Sequence, residues 1–158
     1  MDSVEINIDQ YLEAQSFTVN VIKTNLEHYA SRNQKNFFKI YNDILLGKIA
    51  EYAVYNYLKS KGGDVSEVDT QIYASKNFDC DLKCDGMNIH IKSCREDGDS
   101  WVFQKSDPLV KNPTERDYIF CCRYKGNKVE IVKIIKGLDA KYLNPRLKNL
   151  TSKVCIYN

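Results

Sequence analysis

Two short stretches on either side of Asp85-Gly86 concentrate residue types that do chemistry. Phe78–Cys84 reads FDCDLKC and Met87–Ser93 reads MNIHIKS, and each alternates apolar with polar positions. An Asp-Gly pair between alternating runs predicts a β-hairpin with a two-residue turn. Pairing Cys84 with Met87 fixes the register, so that opposed residue numbers sum to 171. Phe78, Cys80, Leu82 and Cys84 then share an apolar face with Met87, Ile89, Ile91 and Ser93. The other face carries Asp79, Asp81 and Lys83 against Asn88, His90 and Lys92, with Asp81 opposite His90 and Asp79 opposite Lys92. Opposed Cβ atoms lie about 4.5–5.5 Å apart, close enough for one metal ion or one phosphate to bridge them. The bland alternative is a half-solvated hairpin with a surface Asp79–Lys92 ion pair, which contributes little to stability.

A second carboxylate must come from elsewhere in the chain. Phe37–Lys59 is dominated by apolar residues and good helix formers and predicts the longest helix. Ile44, Gly47, Glu51, Val54 and Leu58 recur at three- and four-residue intervals and define one face. Glu51 is the only carboxylate in that stripe, and a carboxylate on an apolar face needs a partner. Lys61-Gly62-Gly63-Asp64 stops the helix, with glycine available for a left-handed cap.

The arrangement resembles the PD-(D/E)xK nuclease superfamily, which includes restriction endonucleases and Holliday junction resolvases. The resemblance rests on Gly47–Tyr52 (GKIAEY) and Phe78–Ser93, within a span of about residues 44–104. It implies an α/β fold with a restriction-endonuclease-like core: a central mixed β-sheet flanked by helices. Glu51 matches the helix glutamate, Asp81 the motif aspartate and Lys92 the motif lysine. His90 stands where the family carries a second acid, and Asp79 is an additional acid beside the aspartate. The implied activity is hydrolysis of DNA phosphodiester bonds with Mg²⁺, or Mn²⁺, as cofactor.

The chemistry suits those residue types. Hydrolysis of a phosphodiester needs an activated water and stabilisation of extra charge on the phosphate. Asp81 and Glu51 supply hard oxygen ligands for Mg²⁺. Lys92 can orient or help deprotonate the water and place positive charge near the phosphate. His90 can bind a transition metal, act as a base or contact phosphate; for Mg²⁺ an imidazole is a poorer ligand than a carboxylate. That departure motivates the competing expectation, a catalytically impaired nucleic-acid binder on the same fold. Gln104 is a candidate for supporting substrate position, whereas Trp101 and Phe103 read as core.

Charge is distributed unevenly. Residues 101–158 hold twelve Lys/Arg against five Asp/Glu, a net +7, and residues 51–100 hold six against ten, a net −4. An acidic centre beside a basic tail suits an enzyme that holds cations centrally and phosphate chains peripherally. Lys105, Arg123, Lys125 and Lys128 are candidate backbone contacts; such contacts bind charge without selecting a sequence, and RNA stays open as a substrate. Cleavage of both strands of a duplex suggests a homodimer.

The remaining elements frame these residues. The 158 residues, 43% hydrophobic and 28% charged, predict a single globular domain over 1–158. Gln10–Glu27 reads as a further helix, and Gln71–Tyr73 as a short strand. Trp101–Phe103, Asp117–Tyr124 and Lys128–Ile135 read as strands, with a turn at Lys125-Gly126-Asn127. Gly137–Leu150 accommodates a short helix, and Ser152–Tyr157 is expected to close the sheet. No apolar run approaches the roughly 20 residues of a membrane span, and the opening MDSVEINIDQ is too acidic for a secretory signal. The six cysteines mostly occupy apolar or alternating segments, so reduced thiols in an intracellular protein are expected. Cys80 and Cys84 would make half a zinc site but lack a second ligand pair.

Overall fold

The computed structural model describes residues 1–31, 36–73 and 79–158. The chain runs β1 (Asp2–Val4), α1 (Ile8–Ser31), α2 (Phe37–Ser60), β2 (Leu82–Cys84), β3 (Met87–Cys94), β4 (Ser100–Gln104), α3 (Pro108–Lys111), β5 (Asp117–Lys125), β6 (Lys128–Lys136) and β7 (Lys153–Tyr157). A 3₁₀ turn, Gly137–Asp139, follows β6.

Helix α2 begins where the Asn36 side chain accepts a hydrogen bond from the Lys39 amide at 3.1 Å, a standard N-cap. It ends where the Lys61 amide bonds back to the Tyr57 and Leu58 carbonyls and Gly62 turns left-handed at φ +83°. Between these points its buried side chains are Ile40, Leu45, Lys48, Ile49, Ala50, Tyr52, Ala53 and Val54. This is a broader surface than the 44/47/51/54/58 stripe, because α2 is covered by α1 on one side and the sheet on another. Of that stripe only Val54 is fully buried.

The main sheet has the order β1-β6-β5-β3-β2 and is mixed: β3 runs parallel to β5 and the other pairs are antiparallel. The fold is therefore mixed α/β, with helices against a mixed sheet. Ile89, Ile91, Phe120, Cys122 and Ile131 face the helices and pack with Leu45, Ile49, Tyr52 and Val54. Ile119 and Cys121 face the other way and join Trp101, Phe103, Leu109 and Ile156 in a second core. Adjacent β5 residues thus serve two cores, which is why the strand reads as a continuous apolar run.

Three expectations are corrected. Gln71–Tyr73 forms no strand, and Ser75–Asn77 lies outside the described residues. The first hairpin strand is only Leu82–Cys84: Phe78 is outside the described residues, and Asp79, Cys80 and Asp81 are not in the ladder. Finally, β7 does not close the main sheet; it pairs with β4 as a separate two-stranded ribbon. Alternation marks β7 as a strand but carries no information about its partner. The six cysteines are all free thiols, and among the described residues no helix is long and apolar enough to cross a membrane.

Candidate functional site

The turn forms as its residues require. Asp85 and Gly86 both take positive φ, +49° and +80°, the combination a two-residue type I′ hairpin turn needs. Cys84↔Met87, Lys83↔Asn88 and Leu82↔Ile89 then pair in the expected register, with Leu82 and Ile89 buried and Lys83 exposed.

The regular pattern breaks at Asp81, and the break positions its carboxylate. The Asp81 amide donates to the Ile89 carbonyl at 2.9 Å, although Leu82 already opposes Ile89. Two residues therefore face one, as in a β-bulge, which re-aims a side chain. The Asp81 carboxylate in turn accepts the Ile91 amide at 2.7 Å. In an unbroken ladder that amide would have reached the backbone of Cys80. Displaced, Cys80 leaves the apolar face, and its thiol lies 3.8 Å from Asn88 Oδ1. The expected Asp81–His90 pairing is thus replaced by a carboxylate that takes over a backbone acceptor's role.

Glu51 approaches from α2 and shares a cavity of about 170 Å³ with Phe17, Lys48, Asp69, Asp79 and Asp81. Burial, and then the charge of Asp81, push the Glu51 carboxyl up to about 8, against the opposing pull of Lys48. Burial likewise raises Asp81, opposed by the Ile91 amide and by the charges of Lys92, His90 and Lys48. A buried carboxyl raised by a neighbouring carboxylate favours a cation beside it.

One cation is already built in. Lys48, 7% exposed, places Nζ 2.7 Å from Glu51 Oε2 and 2.6 Å from the Asp69 carbonyl. The same ammonium stands 4.2 Å from the centroid of the Phe17 ring. Lys48 was not among the residues expected at the site, yet the signal was present: it lies three residues before Glu51 on one helix, so the two share a face.

His90 belongs to a neighbouring, larger cleft of about 580 Å³ that also borders Asp79, Asp81, Lys83 and Asn88. Its Nε2 lies 3.0 Å from Asp117 Oδ1. Asp117 is 7% exposed and accepts further bonds from Asn88 Nδ2 at 3.2 Å, Thr114 N at 2.7 Å and Thr114 Oγ1 at 3.0 Å. Burial pushes the Asp117 carboxyl up, but these donors outweigh it and hold the group below the usual range. Asp117 was also missed. It reaches the site through the parallel β3–β5 pairing, Asn88↔Asp117, which local spacing does not reveal.

The other candidates fall into three groups. Lys92 borders neither cavity; its ammonium lies 5.2 Å from the Phe103 centroid, although its charge acts on Asp81. Gln104 closes β4 and uses its carbonyl to accept the Asp107 amide, away from both cavities. Lys105 is exposed beyond it. The expected backbone contacts are partly occupied: Arg123 donates Nε to the Gly98 carbonyl at 3.0 Å and lies 3.9 Å from Glu130. Lys125 lies 3.4 Å from the same glutamate, and Lys128 lies 3.3 Å from Glu5. Trp101 and Phe103 are core, at 0% and 1% exposure.

Glu51 and Asp81 are hard oxygen donors that line one pocket, the ligand type that Mg²⁺ takes. His90 does not join them, and among the described residues no three His, Cys, Asp or Glu side chains are placed to hold one ion. Comparison of the chain with protein-family models, curated proteins and solved structures finds no match in any of the three.

Proposed function

We propose that this chain is a metal-dependent endonuclease that hydrolyses DNA phosphodiester bonds on a restriction-endonuclease-like core. The observation that carries the reading is the convergence of Glu51 from α2 and Asp81 from the broken hairpin strand on one pocket. The sequence resemblance assigns its helix glutamate and motif aspartate to these same two residues.

Glu51 and Asp81 would hold Mg²⁺ or Mn²⁺, which when bound supplies charge neutralisation at phosphate and a more acidic water. Asp81 is held for this by the Ile91 amide, which fixes one oxygen and leaves the other for a ligand. Lys92 adds positive charge beside Asp81. The ammonium of Lys48 holds Glu51 in place before a divalent cation arrives. The basic surplus of residues 101–158 supports a polyanionic partner, and a homodimer would supply the second cut in a duplex. Six free thiols favour a reducing, intracellular compartment.

A second reading, a nuclease-fold nucleic-acid binder without cleavage, is favoured by two contacts: Glu51 is occupied by Lys48, and His90 by Asp117. The two readings separate on a panel of linear, supercoiled, branched and single-stranded DNA, with RNA alongside, in Mg²⁺ or Mn²⁺. Cleavage that stops with chelator and with Asp81→Asn supports the nuclease. Binding without cleavage on every substrate supports the alternative.

A further inference from the structure

The His90–Asp117 contact has the form of a base and the group that orients it. Asp117 is held from three directions, by Asn88, by the Thr114 amide and by the Thr114 hydroxyl. A carboxylate so satisfied is a fixed acceptor, so at the 3.0 Å contact the proton sits on His90 Nε2. In the neutral ring, Nδ1 is then the lone pair. Nδ1 has no hydrogen-bond partner among the described residues, and the ring borders the cleft that Asp79 and Asp81 also line.

We propose that Asp117 is a positioning residue that fixes the tautomer and plane of His90, and that His90 Nδ1 is the proton acceptor for the attacking water. This assignment rests on the hydrolytic reading above. It gives His90 a role as base rather than as metal ligand, and adds to the site a residue on β5. As the water oxygen bonds to phosphorus, its proton passes to Nδ1. The bond from phosphorus to the leaving ester oxygen breaks, and that oxygen departs with the electron pair and takes a proton from solvent. His90 then returns its proton to solvent, and Asp117 stays ionised throughout.

A simple structural contact predicts something different, because it requires only that His90 and Asp117 stay together. In Asp117→Asn the carboxamide oxygen can still accept from Thr114, which turns the amide NH₂ toward His90. The ring must then accept at Nε2 and carry its proton on Nδ1, the position the base needs free.

The test pairs ring ¹⁵N NMR of His90 with single-turnover cleavage of a DNA duplex at saturating protein in Mg²⁺. Wild type should show the Nε2–H tautomer, and D117N should lose it together with about 100-fold or more of the rate, the scale of a general base. His90→Gln is the companion variant: its amide can still donate to Asp117 but offers no imidazole lone pair, and it should lose a similar factor. Should D117N fail to fold, H90Q carries the rate test alone. In D117N/H90Q the losses should not add, since both remove one function. A wild-type Nδ1–H tautomer, or rates within twofold of wild type for D117N or H90Q, overturns the assignment. No cleavage by wild type, with the Nε2–H tautomer and its loss in D117N intact, overturns instead the hydrolytic reading and the base role that depends on it.

Discussion

Lys48 and Glu51 meet at 2.7 Å inside the pocket that also receives Asp81, so one helix supplies both a carboxylate and its counter-ion. The pair is nearly dry, with side-chain exposures of 7% and 15%. Breaking such a pair from one side leaves a charge without a partner, which costs about 3–5 kcal/mol unless the group neutralises itself.

Lys48→Met is therefore expected to cost little stability at pH 5, where Glu51 holds a proton in both proteins, and more at pH 9, where the wild-type carboxyl is ionised against the ammonium. Adding Mg²⁺ or Mn²⁺ should raise the melting temperature of K48M more than that of wild type, because the divalent ion replaces the lost ammonium. Thermal melts with and without metal, at both pH values, read this directly. Equal metal-induced shifts in the two proteins would show that Lys48 and the cation do not share Glu51.

Glu51 gives stability a defined pH dependence. Burial and the neighbouring Asp81 charge push its carboxyl from 4.5 up to about 8. Between those values the folded protein holds a proton that the unfolded chain has released. Unfolding then releases a proton, and the Glu51 contribution to stability declines as pH rises across this window. Each tenfold difference in proton affinity corresponds to about 1.4 kcal/mol. Glu51→Gln should remove this slope, so that the variant gains on wild type from pH 5 to pH 8 in metal-free buffer. Denaturant titrations of both proteins at four pH values test it; parallel stability curves would contradict the buried environment assigned to Glu51.

How far the sequence reaches can be seen at single residues. The hairpin register was legible because Asp85-Gly86 permits one tight turn and the alternation then fixes both faces. Its failure at Asp81 was not, because it depends on a side-chain oxygen capturing the Ile91 amide, a choice periodicity does not encode. Helix α2 was legible nearly to its ends, and Glu51 stood out as a carboxylate among apolar positions. Lys48 was overlooked because charged residues on a helix are usually solvated. The place of Asp117 at the site and the partner of β7 were hidden for a different reason: the parallel β3–β5 pairing and the separate β4–β7 ribbon are non-local, and no short motif announces them.

Asp81→Asn isolates the charge of the carboxylate from its structural bond. Asparagine can still accept the Ile91 amide through its carbonyl oxygen, so the broken strand should keep its shape. The variant should also relieve the mutual repulsion that raises Glu51. Stability without metal is accordingly expected to stay level or rise, while Mg²⁺-dependent cleavage falls by about 100-fold or more. Calorimetric titration with Mn²⁺ should show weaker binding in D81N. An unchanged cleavage rate across subsaturating Mg²⁺ and Mn²⁺ would remove Asp81 from the metal site.

Lys92→Met separates chemistry from general attraction to nucleic acid. The Lys92 ammonium lies over the Phe103 ring at 5.2 Å, and its charge favours the Asp81 carboxylate. Methionine keeps the unbranched stem and packs well against an aromatic ring, so folding should survive. What is lost is a positive charge that acts on a buried acid. A group that stabilises charge developing only during reaction lowers the chemical step more than the encounter. Residues 101–158 carry a net +7 and offer many other phosphate contacts, so DNA affinity should change little. Single-turnover cleavage with protein saturating the substrate should nevertheless drop by about 100-fold. A contact that only attracts DNA predicts the reverse, weaker binding with a normal rate at saturation. If K92M cleaves at the wild-type rate once saturated, Lys92 is not catalytic. Lys48 would then be the lysine in contact with the carboxylate pocket, and K48M the variant on which the chemistry is decided.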